Sequence, residues 1–512
     1  MAVTSGSKVS SLDVGAVDDD DVQAVKTTTK QQQQGGRWTF ARAFVALSVV
    51  AVACTLLYAP RFSVPTPHGA AAAFLLGPRV GVGPVVVLDN QVGSPCSTMA
   101  ENSICCDRSD YHSDVCFMSG DVRTDAASLS LLLFPPATPG GSATTASEER
   151  IRPYTRKWDA FVTKDIHEVR LRAARPDEAS SHRHRCDVRH EAPALVVTAG
   201  GYSHNLFHAF NDGILPAWLT AQHLRRRVVV AALAYSPAWA GRFGEMLAAL
   251  SGYHVVDLLR DARTHCFPGA IVGTRYHDYL AVDPARLRDN KTAADFHDFL
   301  AAAYDDEPRD SSTRSSAETS SSPQRRRLRL GIVSRKGRRV IENQAAVASL
   351  AASVGFDVSV MDTGAGRVPP LAATYAAVSA YDALVGVHGA DLTSFLFLRP
   401  RTAALVQVAP LGISLLSRNL FGVPAARMGL HYEQYDLRLN ESSLSRKYAP
   451  DDVVVADPDR ARRERGSKAW DLVEFVYLRG QNVTLDLARF RETLTRVHAL
   501  LLQRGAGESP QI

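Results

Sequence analysis

The apolar positions of this chain fall into two kinds of run. Short stretches rich in apolar residues predict strands at Ala194–Thr198, read as buried, and at Leu328–Ser334, Phe356–Met361, Ala383–Val387 and Leu405–Val408, and Val228–Ala234 is a further apolar run. Apolar residues at helical spacing predict helices over Ile214–Leu224, Trp239–Leu250, Ala345–Val354 and Leu371–Ala380, and an amphipathic terminal helix over Asp486–Gln503. Strands alternating with helices argue for parallel sheets covered on both faces. The alternation occurs twice, over 151–304 and 328–505, separated by a polar, Ser-rich linker at 305–327. The expected fold is therefore α/β: two doubly wound, Rossmann-like domains facing a cleft.

The region before residue 151 has a different character. Residues 1–36 carry an acidic run, Asp18–Asp21, and a glutamine tract, Gln31–Gln34, and predict a disordered tail. Residues 37–60 hold the apolar segment Ala43–Ala59, at the short end of what spans a bilayer. It starts too late for a cleaved signal peptide, and Arg37 and Arg42 flank its amino side, so a single transmembrane anchor with a cytosolic tail is expected. Residues 61–150 predict a stem and a cysteine-bearing segment, Cys96–Cys116, closed by the loop-like Phe134–Glu149.

Composition fits a large folded body outside the cytosol. Of 512 residues, 46% are hydrophobic, enough for a core over most of the length. The net charge of +5 is scattered, with no interleaved aromatic and basic residues, which argues against nucleic acid as a partner. Apart from Cys54 in the apolar segment there are six cysteines, an even number that permits disulfides whose connectivity the spacing does not give. Sequons occur at Asn290, Asn440 and Asn482.

The densest chemistry lies in Gly200–Thr220, GGYSHNLFHAFNDGILPAWLT, between a strand and a helix. Such a junction is where open α/β sheets place their sites. His204, His208 and Asp212 are four apart, which on one continuous helix puts all three on one face. An H-x-x-x-H zinc site is disfavoured, since Asn205 stands where the metalloprotease pattern needs Glu. Two readings stay open: histidines that serve only the strand–helix junction, or His208 or Asp212 as a general base.

Two further strand ends carry anion-friendly residues. Arg335, Lys336 and Arg339 follow Leu328–Ser334, with Asn343 close behind; a guanidinium cluster there suits a nucleotide diphosphate. His388, Gly389 and Ala390 follow Ala383–Val387, where glycine permits close backbone approach and a helix start offers N–H groups. D-x-D, the loop that holds a metal-bound diphosphate, occurs only in the acidic tail and at Asp457/Asp459, in neither case after a convincing core strand, so no obligatory metal is expected.

Seven segments in order resemble the plant members of glycosyltransferase family 61. They are CDRSDYHSDVCFMSGDVR, IRPYTRK, the Gly200 stretch, GIVSRKGRRVIEN, VGVHGADLTSFLFL, YEQYDLRLNESSL and YLRGQNVTLDLARF, spanning most of 96–501. The resemblance implies a GT-B enzyme with the donor in its C-terminal half. It further implies a single-pass type II Golgi membrane protein that moves arabinofuranose or xylose from a UDP-sugar to a xylan-type glycan, with inversion. An N-glycan acceptor and a degenerate, glycan-binding Golgi partner are the alternatives, and other Golgi transferases are expected partners. In this frame His208 or Asp212 serves as the base, and Asn205, Arg335, Lys336, Arg339, Asn343, His388, Gly389 and Ala390 hold substrate. The chain departs from the family pattern at His204 and Asp391, where glycine is common, at Ser394, where asparagine is common, and at Arg399 and Arg401, which replace proline and glycine.

Overall fold

A computed structural model describes residues 88–135, 148–180, 184–305, 327–362 and 369–507. The tail at 1–36, the anchor at 37–60, the stem up to residue 87 and all but the ends of the 305–327 linker lie outside the described residues. Among the described residues no helix is long and apolar enough to cross a membrane.

Ten strands form the first sheet: β1 (Ser103–Asp107), β2 (Val115–Asp125), β3 (Ser130–Phe134), β4 (Glu149–Ile151), β5 (Val169–Ala173), β6 (Val188–Arg189), β7 (Ala194–Thr198), β8 (Val229–Leu233), β9 (Val256–Asp257) and β10 (His265–Val272). Their order is β4-β5-β3-β2-β10-β7-β8-β9, with β1 on β2 and β6 on β10. The β10-β7-β8-β9 part is parallel, whereas β2 runs antiparallel to β1, β3 and β10. The sheet is thus mixed, not the purely doubly wound one expected. It also begins well before Ile151. The strands of 103–134 supply its antiparallel half, and their apolar residues Val115–Met118 and Leu131–Phe134 are buried. Arg275 locks the leading segment down with 2.6 Å contacts to Asp89 and Asp107, all three buried. The cysteines pair as Cys96–Cys105, Cys106–Cys116 and Cys186–Cys266. The second of these joins residues that face each other in the β1/β2 register.

The second sheet is wholly parallel: β11 (Arg329–Ser334), β12 (Asp357–Asp362), β13 (Ala383–Val387), β14 (Ala404–Ala409) and β15 (His431–Asp436), in the order β12-β11-β13-β14-β15. Its core joins Ile332, Val385 and Val406 to Phe490, Leu494 and Val497 of the terminal helix Leu487–Gly507. Strand order reverses between β11 and β13, and in the first sheet between β7 and β10. At such points successive connections leave to opposite sides, which opens a crevice at the carboxyl ends of the two strands. The candidate residues leave the sheets at these ends.

Candidate functional site

At the first switch point the chain turns from β7 through Gly200 and Gly201. Gly201 has φ +63°, and a Cβ there would meet the Tyr154 ring at 2.6 Å. Asn205 then caps the helical turn Leu206–His208, its Oδ1 accepting from the Phe207 N–H at 2.9 Å. Its Nδ2 has no hydrogen-bond partner among the described residues. Because the helix starts after this cap, His204 lies outside it and is exposed, so it does not share a face with His208 and Asp212. From Ala209 to Ile214 the helix widens to a π turn. Pro216 has no N–H to give to the Asp212 carbonyl four residues back, and Leu215 N–H bonds five residues back to Phe210 O.

That wide turn still brings His208 and Asp212 together. His208 Nδ1 lies 2.5 Å from Asp212 Oδ2, with both side chains sealed from solvent. The same carboxylate accepts from Arg156 Nε at 2.8 Å, Thr155 Oγ1 at 3.2 Å and Asn211 Nδ2 at 2.6 Å. Burial alone would raise the Asp212 pKa, but the Arg156 and His208 charges outweigh it and hold the carboxyl well below its ordinary value. An ionised carboxylate only accepts, so Nδ1 donates to it and Nε2 becomes the basic atom of His208. Asp212 itself has no lone pair to spare. Of the two candidate bases, the geometry fits His208, with Asp212 orienting it. Arg156, Thr155 and Tyr154 were not singled out by sequence. Their partner lies 56 to 58 residues away, so no local spacing links them, and the only signal was the motif IRPYTRK.

At the second switch point Arg335 leaves β11 and His388 leaves β13. Gly389 has φ +148°, and a Cβ on it would stand 2.2 Å from Arg335 Nη1 and 3.1 Å from Arg339 Nη2. Two guanidinium groups therefore rest on the glycine backbone, which brings motifs 50 residues apart into one seat. Arg335 and Arg339 are buried, and Arg335 pairs with Asp391 at 3.3 Å. Ala390, also buried, opens the 3-10 helix Ala390–Phe397, which has no side-chain cap. The Gln407 amide lies 3.0 Å from His388 Nδ1; with that amide donating, the ring proton sits on Nε2.

Two predicted substrate residues do not join the seat. Lys336 is half-exposed and pairs with Asp362 at the end of β12, 2.7 Å away. Both halves of the Asn343 amide bond Leu485: Nδ2 donates to the carbonyl at 2.8 Å, and Oδ1 accepts from the N–H at 3.0 Å. It ties the start of the helix Gln344–Val354 to the chain ahead of the terminal helix. The D-x-D at Asp457/Asp459 serves a helix as well: Asp457 caps Pro458–Arg465 and Asp459 pairs with Arg462. Among the described residues no cluster of His, Cys, Asp or Glu is arranged to hold a metal ion.

The two groups meet through aromatic side chains. Phe207, next to His208, lies 5.7 Å from Phe421, and His388 stands edge-on to Phe421 at 5.2 Å. Arg242 of the helix Pro237–Leu250 donates to the His204 carbonyl at 3.3 Å and feels the Asp391 charge across the same junction. The two lobes are thus in contact here, with Phe421 packed between them in place of an open gap. A cavity of about 580 Å³ lined by Trp218, Gln222, Arg225 and Arg288 shares none of these residues.

Comparison with known proteins identifies the family. Residues 206–405 match the family model "Glycosyltransferase 61", a span from the capped turn before His208 to the start of β14. Xylan glycosyltransferase MUCI21 of Arabidopsis thaliana is 36% identical over 422 residues, 81% of this chain and 83% of that protein. Beta-1,2-xylosyltransferase XYXT1 of Oryza sativa subsp. japonica is 35% identical over 408 residues, 77% of this chain and 84% of that one. Alpha-1,3-arabinosyltransferase XAT3 from the same rice is 32% identical over 390 residues, 76% of this chain and 64% of its own length. Likeness at this level over most of both chains places the protein among sugar-transferring enzymes: it belongs to glycosyltransferase family 61.

Proposed function

We propose that this glycosyltransferase moves a pentose, xylose or arabinofuranose, from a UDP donor to a xylan-type glycan with inversion at the anomeric carbon. It would do so as a single-pass type II protein of the Golgi membrane, in a GT-B arrangement with the donor on the second sheet. The observation that carries the reading is the buried His208–Asp212 pair set against the Arg335–Arg339–Gly389 seat through a shared aromatic wall.

In this reading His208 Nε2 takes the proton of the acceptor hydroxyl as that oxygen attacks the anomeric carbon. The bond from that carbon to the β-phosphate oxygen breaks on the opposite side, and the leaving diphosphate takes the bonding pair. Asp212 stabilises the imidazolium that forms, and Arg335, Arg339 and the His388 Nε2 proton offset the charge on the departing UDP. His208 is sealed from solvent here, so a hydroxyl reaches it only when the aromatic contacts between the lobes part. The relatives' xylan, xylosyl and arabinosyl names support a pentose and a xylan.

The test is a donor screen. Full-length protein is given UDP-xylose, UDP-arabinofuranose or UDP-N-acetylglucosamine with xylo-oligosaccharides, and products are read by mass. A pentose increment from one donor is expected. Transfer of N-acetylglucosamine alone, or no consumption of any donor, would sink the reading.

A further inference from the structure

Around the His208–Asp212 pair stands a second set of buried polar atoms that the transfer step does not use. Arg156 gives Nε to Asp212, but its Nη1 and Nη2 have no hydrogen-bond partner among the described residues, although the side chain is only 2% exposed. The same is true of the Tyr276 hydroxyl, His112 Nε2 and Trp158 Nε1. These residues come from three segments. His112 lies between β1 and β2, Arg156 and Trp158 follow β4, and Tyr276 follows β10 at the switch point beside β7. They are close in space: the His112 and Tyr276 rings lie 4.5 Å apart, and Arg156 Cζ lies 5.7 Å from the Trp158 ring. Native proteins leave few buried polar atoms unbonded, so five in one cluster mark a place where a ligand's polar atoms complete the network.

The character of the cluster selects the ligand. The Arg156 charge is already matched by Asp212, and burial holds His112 toward its neutral form. What remains is a set of N–H and O–H groups with no excess charge, which suits hydroxyls better than a phosphate. Toward solvent the cluster ends in aromatic faces. Tyr111, 48% exposed, runs within 9° of parallel to the half-buried Trp158, their centroids 6.3 Å apart. Aromatic walls with a few placed polar groups are the usual form of a small-ligand site, and such faces suit the C–H side of a sugar ring.

We propose that Arg156, Tyr276, His112 and Trp158 form the acceptor subsite, holding a neutral pentose unit of the glycan by its hydroxyls, while Tyr111 and Trp158 seat the neighbouring unit of the chain. The subsite presents one hydroxyl to His208, and to that extent it rests on the transfer reading above.

The test is titration of xylohexaose into full-length protein saturated with UDP. Tyr276→Phe and Trp158→Phe each remove one donor and keep a ring; each is expected to weaken xylohexaose binding about tenfold, the worth of a buried hydrogen bond, with UDP affinity unchanged. Tyr111→Ala, at an exposed position, is expected to weaken it as well. Equal binding by all three variants, or no binding by the wild type, overturns the subsite. The readout is binding and not turnover. A wild type that binds xylohexaose but transfers nothing therefore refutes the transfer while the subsite stands, and active variants with unchanged binding do the reverse.

Discussion

Asp391 lies 3.3 Å from Arg335 and so places a carboxylate in the seat proposed for the donor's diphosphate. The resemblance to the family leads one to expect glycine there. A diphosphate that binds Arg335 must displace or tolerate this internal anion. Asp391→Gly is therefore expected to tighten UDP binding, by about fivefold after allowing for the partial exposure of the carboxylate. Calorimetric titration of UDP measures it. Weaker binding by the variant would mean that Asp391 positions Arg335 for the ligand instead of competing for it.

The His208–Asp212 pair predicts a division of labour. His208→Ala and Asp212→Asn should each lower kcat by about 10³-fold or more, since a carboxamide no longer fixes the imidazole's tautomer. UDP affinity should stay unchanged in both, which also shows that the variants are folded. Asp212→Asn carries a stability cost too, because Arg156 keeps a buried charge without its partner. The sign with pH follows from the lowered Asp212 pKa. The stabilisation is fully present above the ordinary carboxylate value of about 4 and is lost only as pH falls through the lower folded value. The Tm deficit of Asp212→Asn should accordingly be large at pH 7 and shrink only in acid.

If the proposed seat of Arg335 and Arg339 meets the charge of the leaving diphosphate, no metal is required there. Turnover by the full-length protein is expected to survive excess EDTA, read as pentose transferred with and without chelator. Activity lost to EDTA and restored by manganese would move the role of Arg335 and Arg339 to a metal-bound diphosphate.

Where the sequence was legible, the reason was local. Ala194–Thr198 and Ala383–Val387 were delimited to the residue, because buried parallel strands are unbroken apolar runs bounded by polar turns. β15, HYEQYD, escaped notice: it is a half-buried edge strand whose polar side chains hide the pattern. The β2–β3 part of the first sheet was concealed by the cysteines and by the loop-like composition after Phe134. The site followed the same rule. His208 and Asp212 were readable as an i, i+4 pair, and the HG turn as a strand end that backbone can approach closely, which Arg335 and Arg339 do. Which of the two acidic-basic partners is saturated was not readable, because Arg156 reaches Asp212 from another segment. Lys336 and Asn343 were misplaced for the converse reason, since proximity in sequence to Arg335 says nothing about which way each side chain leaves the strand end.

Arg401, a further departure from the expected glycine, adopts φ +65°. That conformation is costly for a residue with a Cβ. Its side chain is exposed, and its carbonyl, which accepts from Arg504 at 2.9 Å, would survive substitution. Arg401→Gly is expected to stabilise the protein by about 0.5–1 kcal/mol, part of the gain being offset by the freer unfolded chain. Thermal unfolding of the variant beside the wild type measures this, and an unchanged or lower Tm would show that the Arg401 side chain makes a contact worth more than the strain.

The three sequons separate by structure. Asn290 and Asn440 are exposed. Asn482 is only half-buried, but its Oδ1 accepts from the Val340 N–H at 3.1 Å and its own N–H donates to Ser443 Oγ at 2.9 Å, which ties the segment ahead of the terminal helix to the chain after Arg339. A glycan on Asn482 would compete with that side-chain bond, whereas one on Asn290 or Asn440 would meet only solvent. If the body faces the Golgi lumen, protein from a secretory host should carry glycan at Asn290 and Asn440 and none at Asn482, read by mass after enzymatic deglycosylation. Asn290→Gln and Asn440→Gln should each remove one glycan and leave Tm nearly unchanged. Asn482→Gln should remove no mass and cost about 1 kcal/mol, the net worth of one such hydrogen bond. An occupied Asn482 with full stability would show that the Val340 bond is dispensable, and a chain bare at all three would count against the lumenal placement.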